Sequence, residues 1–408
     1  ETGIAWKSDL PATSISSPIV AGERAFVMAE PNRLLCFRLT DGELLWNRPH
    51  EYEVIFGLEK ANEIKQLHAE SQKVQQEIAE LEKQLKSEED ANPNSEKVTS
   101  LRDRIKKLQQ RDEELTAIPP PRTDATGNTA STPVADLENV YAVLGNGIVS
   151  SHTLDGQRNW SKFISKPMSR HSASPIIAGN LLIVHLKELF ALDRRSGEIV
   201  WKTAAPARNG TPVALKVGDK NVIVTPAGAI IGGEDGKVLA KDLFDLGYSS
   251  PIAHQGVIFA AERGRFLAIK LSLNQEESNV QADVIWQTKG AQEDRLASPV
   301  IHEGLLFSST GSGILDVVDI ATGNVIKRKR LELGEGRVDA SLSLANDHLY
   351  VQSTNGTTVI LKPTADCPEI ARNKAEGSSS SPFFVDKRIV FRTPTHVICI
   401  AAQKSKQQ

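Results

Sequence analysis

Residues 189–201 have the sequence Leu-Phe-Ala-Leu-Asp-Arg-Arg-Ser-Gly-Glu-Ile-Val-Trp, which contains an apolar strand, a turn and a second strand that ends in tryptophan. Segments 41–46 and 155–160 repeat the turn and the tryptophan, whereas segments 235–240 and 322–327 keep the turn but replace the ring. An indole on an outer strand can pack flat on a neighbouring sheet with little entropy cost. We therefore expect every tryptophan of the chain to be a docking residue between sheets: Trp6, Trp46, Trp160, Trp201 and Trp286.

A serine or threonine, usually followed by proline and an apolar strand, recurs through the chain as an anchor for each repeat. The anchors are Ser17, Thr132, Ser174, Thr211, Ser250, Ser298, Ser341 and Ser381, with Leu342 in the proline position after Ser341. Their successive spacings are 115, 42, 37, 39, 48, 43 and 40 residues. Apart from the first, which contains an insertion, these spacings match the roughly 40–45 residues of a four-stranded blade. The sequence therefore predicts an all-β fold, an eight-bladed β-propeller.

The two ends of the chain indicate how the propeller closes. Trp6 precedes the first anchor, so its strand has no blade of its own, and the last repeat ends at residues 397–400 without a fourth strand. We predict that the N-terminal strand completes the last blade and removes the open sheet edges that would otherwise associate with other chains.

Residues 57–118 have a helical pattern instead. Two heptad seams, at 67–85 and 98–115, are interrupted only by Ser71 and Asp112, and residues 90–95 between them are typical of a turn. Residues 58–90 carry a charge of −4 and residues 91–111 a charge of +4, which favours an antiparallel coiled-coil hairpin. The predicted domains are a propeller, 1–56 and 119–408, and an inserted hairpin, 57–118. The hairpin is either a docking or dimerisation arm or a decoration without a partner.

Composition excludes several functional classes. The 408 residues have a formal net charge of −3 and a charged fraction of 24%, which gives no support to nucleic-acid binding. We expect no transmembrane segment, because no apolar run approaches the roughly 18 residues that cross a bilayer, and no signal peptide lies within this sequence. The three cysteines and nine histidines have no metal-ligand spacing, so we expect buried thiols and no metal site.

The tryptophan-bearing repeat resembles that of the pyrroloquinoline-quinone-like β-propeller family, which includes quinoprotein dehydrogenases and BamB-like envelope proteins. The resemblance implies either a quinone enzyme, with a vicinal disulfide, a calcium ion and a catalytic aspartate, or a binding platform without cofactor. No two of Cys36, Cys367 and Cys399 are adjacent, and no acidic segment has calcium-loop spacing. We therefore expect no cofactor and place the chain in the non-enzymatic, BamB-like branch.

Propeller ligands gather where the loops before the innermost strands converge. These loops contain the candidate binding residues of the channel mouth: Arg170, His171, Arg208, Asn209, Tyr248, Arg295, Arg337 and Asp339. Four arginines from four repeats would form a rim for carboxylate or phosphate groups, so an anionic peptide or glycan is one expected ligand. The alternative is that the arginines are solvated or paired with Asp294 and Asp339. No catalytic residues are assigned.

From the sequence we expect a non-enzymatic scaffold that binds a protein partner through the propeller face, the hairpin or both. The family resemblance implies a periplasmic or secreted location in a bacterial cell envelope. The alternative function is a quinone- or metal-dependent oxidoreductase that acts on alcohols or sugars.

Overall fold

The computed structural model describes residues 3–124, 126–273 and 280–401. These residues form eight four-stranded antiparallel sheets, so the predicted eight-bladed propeller is confirmed. The first described strand is β1 (Ile4–Asp9). Each blade then adds consecutive strands. Blade 1 consists of β2 (Ile19–Ala21), β3 (Arg24–Ala29), β4 (Arg33–Arg38) and β5 (Leu44–Pro49). Blade 2 consists of β6 (Val134–Ala135), β7 (Asn139–Val143), β8 (Ile148–Thr153) and β9 (Arg158–Phe163).

Blades 3 to 8 follow without a further helix in the described residues. Blade 3 consists of β10 (Ile176–Ala178), β11 (Leu181–His185), β12 (Leu189–Asp193) and β13 (Ile199–Thr203). Blade 4 consists of β14 (Val213–Val217), β15 (Lys220–Val224), β16 (Ile230–Gly232) and β17 (Val238–Ala240). Blade 5 consists of β18 (Ile252–His254), β19 (Val257–Glu262), β20 (Arg265–Leu273) and β21 (Val280–Lys289). Blade 6 consists of β22 (Val300–His302), β23 (Leu305–Ser309), β24 (Ile314–Asp319) and β25 (Val325–Arg330). Blade 7 consists of β26 (Ser343–Ala345), β27 (His348–Gln352), β28 (Thr357–Leu361) and β29 (Glu369–Lys374). Blade 8 consists of β30 (Phe383–Val385), β31 (Arg388–Arg392), β32 (His396–Ala401) and β1.

The first strand closes the ring as the sequence predicts. In blade 8, β1 lies antiparallel to β32, with Trp6 opposite Cys399 and Ser8 opposite Val397. The backbone N–H of Ala401 donates a hydrogen bond to the carbonyl of Gly3, with an N–O distance of 2.9 Å. The outer edge of the last blade is therefore formed by the beginning of the chain.

Each tryptophan lies against the blade that follows its own. The Trp160 indole N–H donates to the carbonyl of Arg194 at 3.1 Å, and its ring lies over Gly197 in the same turn, where a Cβ atom would come within 2.6 Å of Cδ2. Gly197 also has a φ of +71°, which glycine adopts at little cost. The same two contacts recur at the other four indoles, whose acceptor carbonyls belong to Leu39, Leu154, Gly233 and Ile320.

The insertion is a hairpin of two long helices preceded by a short one. The helices are α1 (Tyr52–Phe56), α2 (Leu58–Ala91) and α3 (Glu96–Leu115). Four ion pairs join α2 to α3, as the opposite charges of the two segments predict: Glu88–Lys97, Glu89–Arg102, Glu77–Arg104 and Glu70–Arg111. Apolar residues around Leu81, Leu101 and Ile105 fill the seam.

The base of the hairpin is packed on the propeller. Tyr52, Ala61 and Ile64 share one buried cluster with Trp46 and Val140, which belong to blades 1 and 2. The Tyr52 hydroxyl donates to the carbonyl of Pro119 at 2.6 Å. At 1.5 Å per residue, the 34 residues of α2 extend for roughly 50 Å. The hairpin is therefore held at its base between two blades.

Candidate functional site

The anchor residues form a closed ring of hydrogen bonds around the central channel. The backbone N–H of each anchor donates to the hydroxyl of the anchor in the next blade, at N–O distances of 2.9–3.2 Å. The accepting hydroxyls, in order around the ring, belong to Thr132, Ser174, Thr211, Ser250, Ser298, Ser341, Ser381 and Ser17. In the sequence, these residues served only to count the repeats. Their hydrogen-bonding role could have been predicted from the fact that all eight are serine or threonine, whose hydroxyl groups accept hydrogen bonds.

The ring borders a channel cavity of about 660 Å³. Its lining includes five of the eight predicted channel-mouth residues: Arg170, Asn209, Tyr248, Arg337 and Asp339. Tyr248 is 50% exposed. The cavity thus combines hydroxyl groups from the innermost strands with two guanidinium groups and one aromatic ring.

The two arginines that line this cavity differ in their partners. The Arg337 guanidinium donates to the Asp339 carboxylate at 2.9 and 3.2 Å. Arg170 is exposed and has a φ of +56°. Within the described part of the chain, no carboxylate oxygen lies within 4.0 Å of the Arg170 guanidinium. Arg170 is therefore the cation of the channel mouth that is available to an anionic ligand.

Arg208 lies at a smaller neighbouring cavity of about 250 Å³. Its guanidinium forms a two-pronged contact with the Asp245 carboxylate, from Nε at 2.7 Å and from Nη2 at 2.9 Å. Asp294, a predicted partner for a channel arginine, lies 3.6 Å from Arg263 instead. The charge of Arg208 is therefore neutralised by Asp245, a residue that the sequence did not single out.

Arg295 and His171 lie inside the blades and not at the predicted rim. The Arg295 side chain is 1% exposed and lies beside the fully buried Asp316 carboxylate, which also accepts from Arg328 at 2.5 Å. Burial lowers the pKa of Arg295, and Asp316 opposes that effect. The His171 ring donates from Nε2 to the carbonyl of His185 at 2.9 Å, and burial lowers its pKa to about 4. Both side chains are structural.

The channel residues do not fit the quinone and calcium pair of the dehydrogenases. The two carboxylates that line the cavity, Asp294 and Asp339, each lie beside an arginine, and the other polar groups are mainly hydroxyls. The three cysteines are free and buried, and burial raises the pKa of Cys36 to about 12 and that of Cys367 to about 11. Among the described residues, no three His, Cys, Asp or Glu side chains are grouped as metal ligands.

Comparisons with known proteins place these features in a family. The family model described as outer membrane protein assembly factor BamB matches residues 2–203 and again residues 187–408. A comparison with curated protein sequences gave no significant match. No helix in the described segments has the length and apolar character needed to span a membrane.

Three solved structures are similar to this chain. BamB from Moraxella catarrhalis is 17% identical, with 69% of this chain and 96% of that chain covered and a TM-score of 0.45. The computationally designed Ika8 protein is 10% identical, with 98% and 100% covered and a TM-score of 0.58. The quinohemoprotein alcohol dehydrogenase ADHIIG from Pseudomonas putida HK5 is 10% identical, with 100% and 77% covered and a TM-score of 0.58. Because the two family matches together span nearly the whole sequence, this chain belongs to the PQQ-repeat family of the outer membrane protein assembly factor BamB.

Proposed function

We propose that this chain is a non-enzymatic protein-binding scaffold of the bacterial cell envelope, which binds an acidic segment of a partner protein at its channel mouth. The observation that carries the proposal is Arg170, a cation on the wall of the 660 Å³ cavity with no carboxylate partner among the described residues. Guanidinium groups bind carboxylates through paired hydrogen bonds. Asn209 and Tyr248 beside it supply an amide and a phenol for further hydrogen bonds.

Membership of the BamB family supports a binding role in the envelope, whereas a quinohemoprotein alcohol dehydrogenase has a similar fold. We favour binding over catalysis because the cavity lining offers hydroxyl donors and arginine-paired carboxylates, which suit a polar peptide better than a metal-bound cofactor. The hairpin is proposed as a second binding surface, since its base is fixed between blades 1 and 2 while its seam is complete without a partner.

The channel proposal is tested by charge reversal at one residue. A fluorescein-labelled ten-residue peptide of alternating glutamate and glycine is titrated with the protein, and fluorescence anisotropy gives the Kd. We expect Arg170→Glu to weaken binding at least tenfold, about 1.4 kcal/mol. Arg195→Glu is the matched control, because Arg195 is an exposed arginine in the turn between β12 and β13 and does not line the channel cavity. Equal losses in both variants, or none in either, would contradict the proposal.

The alternative oxidoreductase is tested on the same preparation. The protein is incubated with pyrroloquinoline quinone and calcium, and dye reduction is measured with alcohols and sugars. We expect no turnover above that of the protein-free mixture. Turnover that depends on added quinone would replace the scaffold proposal with the enzyme.

The role of the hairpin is tested by shortening it while its base is kept. Residues 76–107 are replaced by a four-residue Asn-Gly-containing turn, which leaves Ala61 and Ile64 in their buried cluster. We expect the thermal midpoint of the propeller to remain within a few degrees, and crosslinking in envelope extracts to lose a partner that the intact protein captures. An unchanged crosslinking pattern would remove the hairpin from the proposed binding surface.

A further inference from the structure

Blade 7 has no docking tryptophan, and the register identifies the residue in its place. In blade 1, Trp46 lies opposite Cys36, which lies opposite Phe26. In blade 7 the corresponding row is Ala371, Ile360 and Tyr350. All six residues of β29 are exposed, so the outer strand of this blade is not covered by its neighbour.

Blade 8 also lacks the turn on which an indole would pack. In the other blades the fourth strand follows the third along the chain, whereas in blade 8 the third strand is β32 and the fourth is β1. The glycine that receives Trp46 in blade 2, Gly156, therefore has no counterpart between Ala401 and Gly3.

The other two interfaces without tryptophan are filled by the following blade. Between blades 4 and 5, the long antiparallel strands β20 and β21 place Leu271 and Val280 in one cluster with Ala240. Between blades 6 and 7, buried Cys367 packs in the cluster of Phe307, and the Lys329 ammonium donates to the Cys367 carbonyl at 2.5 Å. Only the interface between blades 7 and 8, among those that the structure describes, has neither an indole nor such a substitute.

A cleft of about 490 Å³ lies at this interface, lined by Tyr350, Phe384, Ile389 and Ile400 among others. Phe384, Ile389 and Ile400 lie opposite one another on adjacent strands and form one row across blade 8. The equivalent row in blade 2 is Ala135, Val140 and His152. That blade 2 row is the surface against which Trp46 packs.

The aromatic ring of Tyr350 also has a different neighbour from its equivalents. In blade 1, Phe26 contacts the tryptophan of its own blade with a centroid distance of 5.7 Å, and blades 2 and 5 show the same pairing. Tyr350 contacts Phe384 of blade 8 at 4.7 Å instead. The cleft is thus walled by two aromatic rings and two isoleucines where the other interfaces contain an indole.

The rim of the cleft is positively charged. Lys387 and Arg388 belong to its lining together with Asp386. Over the described ranges, neither cation has a carboxylate oxygen within 4.0 Å. Charge complementarity therefore favours an occupant that carries carboxylates next to its apolar part.

We propose that the cleft between blades 7 and 8 binds an aromatic side chain, foremost an indole, from an acidic extended segment of a partner protein. The five indoles between other blades indicate that the cleft can hold an indole. Lys387 and Arg388 at its rim favour a segment with carboxylates next to that indole. This site shares no lining residue with the channel cavity. It is therefore independent of the channel proposal.

The chain itself supplies a probe for the test. A fluorescein-labelled, amidated peptide with the sequence of residues 41–46, Asp-Gly-Glu-Leu-Leu-Trp, contains both the indole and two carboxylates. We expect it to bind the full chain at least ten times more tightly than the same peptide with alanine in place of tryptophan, as measured by anisotropy. Equal affinity of the two peptides would overturn the proposal.

Variants of the protein locate the site. We expect Ala371→Trp to supply the indole internally and to reduce peptide affinity at least tenfold. Ala240→Trp is its matched control, because the equivalent place beside Ala240 is already filled by Leu271 and Val280, and this variant should leave affinity unchanged. Peptide binding that survives Ala371→Trp at full strength would place the peptide elsewhere.

A second set of variants does not depend on how the new indole packs. We expect Lys387→Glu combined with Arg388→Glu to weaken peptide binding at least fivefold. The control is Lys187→Glu combined with Arg195→Glu, two exposed cations of blade 3 that line neither the cleft nor the channel cavity, and it should leave the affinity unchanged. No loss in the Lys387 and Arg388 variant, together with a loss in Arg170→Glu, would assign the peptide to the channel mouth and refute the cleft. If the cleft proposal is refuted, the channel proposal still stands or falls by its own experiment, because that experiment uses a peptide without aromatic residues.

Discussion

Trp201 illustrates how one side chain joins two blades of this propeller. Its indole N–H donates to the carbonyl of Gly233 at 2.9 Å, and the ring packs against Gly236 of blade 4. The side chain is 8% exposed although it belongs to an outermost strand. Each such residue combines a large buried apolar area with a satisfied polar atom. The packing of the ring depends on a glycine in the facing turn.

Removal of this ring should therefore destabilise the whole protein. We expect Trp201→Ala to lower the free energy of unfolding by about 3–5 kcal/mol, since a large aromatic side chain is lost from a packed interface. Guanidinium denaturation followed by circular dichroism measures the change. The control is Val200→Ala, the adjacent residue of β13, which is 54% exposed and should cost less than about 0.5 kcal/mol. Similar losses in both variants would show that Trp201 does not act by packing.

Single residues also explain where sequence reasoning about the site succeeded and failed. Arg170 and Arg337 lie four positions before their serine anchors, and both line the channel cavity. Arg208 and Arg295 lie three positions before theirs and face away from it, toward Asp245 and Asp316. The sequence shows this difference of one residue, but it does not show the backbone conformation of the loops, such as the φ of +56° at Arg170, which sets the direction of each side chain.

The helical hairpin shows how an element compensates for interruptions in its own pattern. The two polar residues that break the heptad seams, Ser71 and Asp112, lie opposite each other, and the Ser71 hydroxyl donates to the Asp112 carboxylate. Gln75 donates to the same carboxylate at 3.2 Å. The sequence predicted the two helices, their antiparallel order and their charge attraction, but this pairing required knowledge of their relative register.

Replacement of the polar pair by apolar residues should strengthen the hairpin. We expect Ser71→Leu combined with Asp112→Leu to slow backbone hydrogen exchange in α2 and α3, because a continuous apolar seam avoids burying a carboxylate. Mass spectrometry of peptides from the two helices provides the measurement. A swap of the exposed pair Glu77–Arg104, which is worth at most about 1 kcal/mol, serves as the control and should change exchange little. Faster exchange in the double leucine variant would mean that the polar pair stabilises the hairpin.

Across the whole molecule, the fold follows from local signals that recur from blade to blade. Turn glycines, outer-strand tryptophans and small hydroxyl anchors each act between neighbouring blades, so their spacing was enough to predict the architecture. The interfaces that depart from the repeat were not predictable in the same way. Ala240, Lys327 and Ala371 all lack the ring, and only tertiary structure shows that the first two places are filled while the third is open.

Stability of the whole propeller should depend on pH through four buried histidines in blades 1 to 3 and their connections. Burial lowers the pKa of His50, His171 and His185 to about 4 and that of His152 to about 3, from 6.5. The folded state therefore binds fewer protons than the unfolded state below pH 6.5. Its stability should be fully present above that pH and should fall as the pH decreases toward 4.

This dependence is measured as the denaturation midpoint between pH 8 and pH 4. We expect a plateau above about pH 7 and a loss of several kcal/mol by pH 4. The variant His171→Gln with His185→Gln should show a shallower decline than the unsubstituted protein, because two of the depressed groups are gone. A parallel decline in the two proteins would assign the acid sensitivity to other groups.

The closure of blade 8 by β1 has a consequence for synthesis of the protein. The strand Ile4–Asp9 leaves the ribosome before the other described strands of the propeller, and its pairing partner His396–Ala401 leaves after them. Until β32 is synthesised, the propeller is consequently an open arc with two unpaired sheet edges, and a product truncated before β32 can never close it. Quality control that recognises such edges would distinguish finished from unfinished copies of this protein by a single pair of strands.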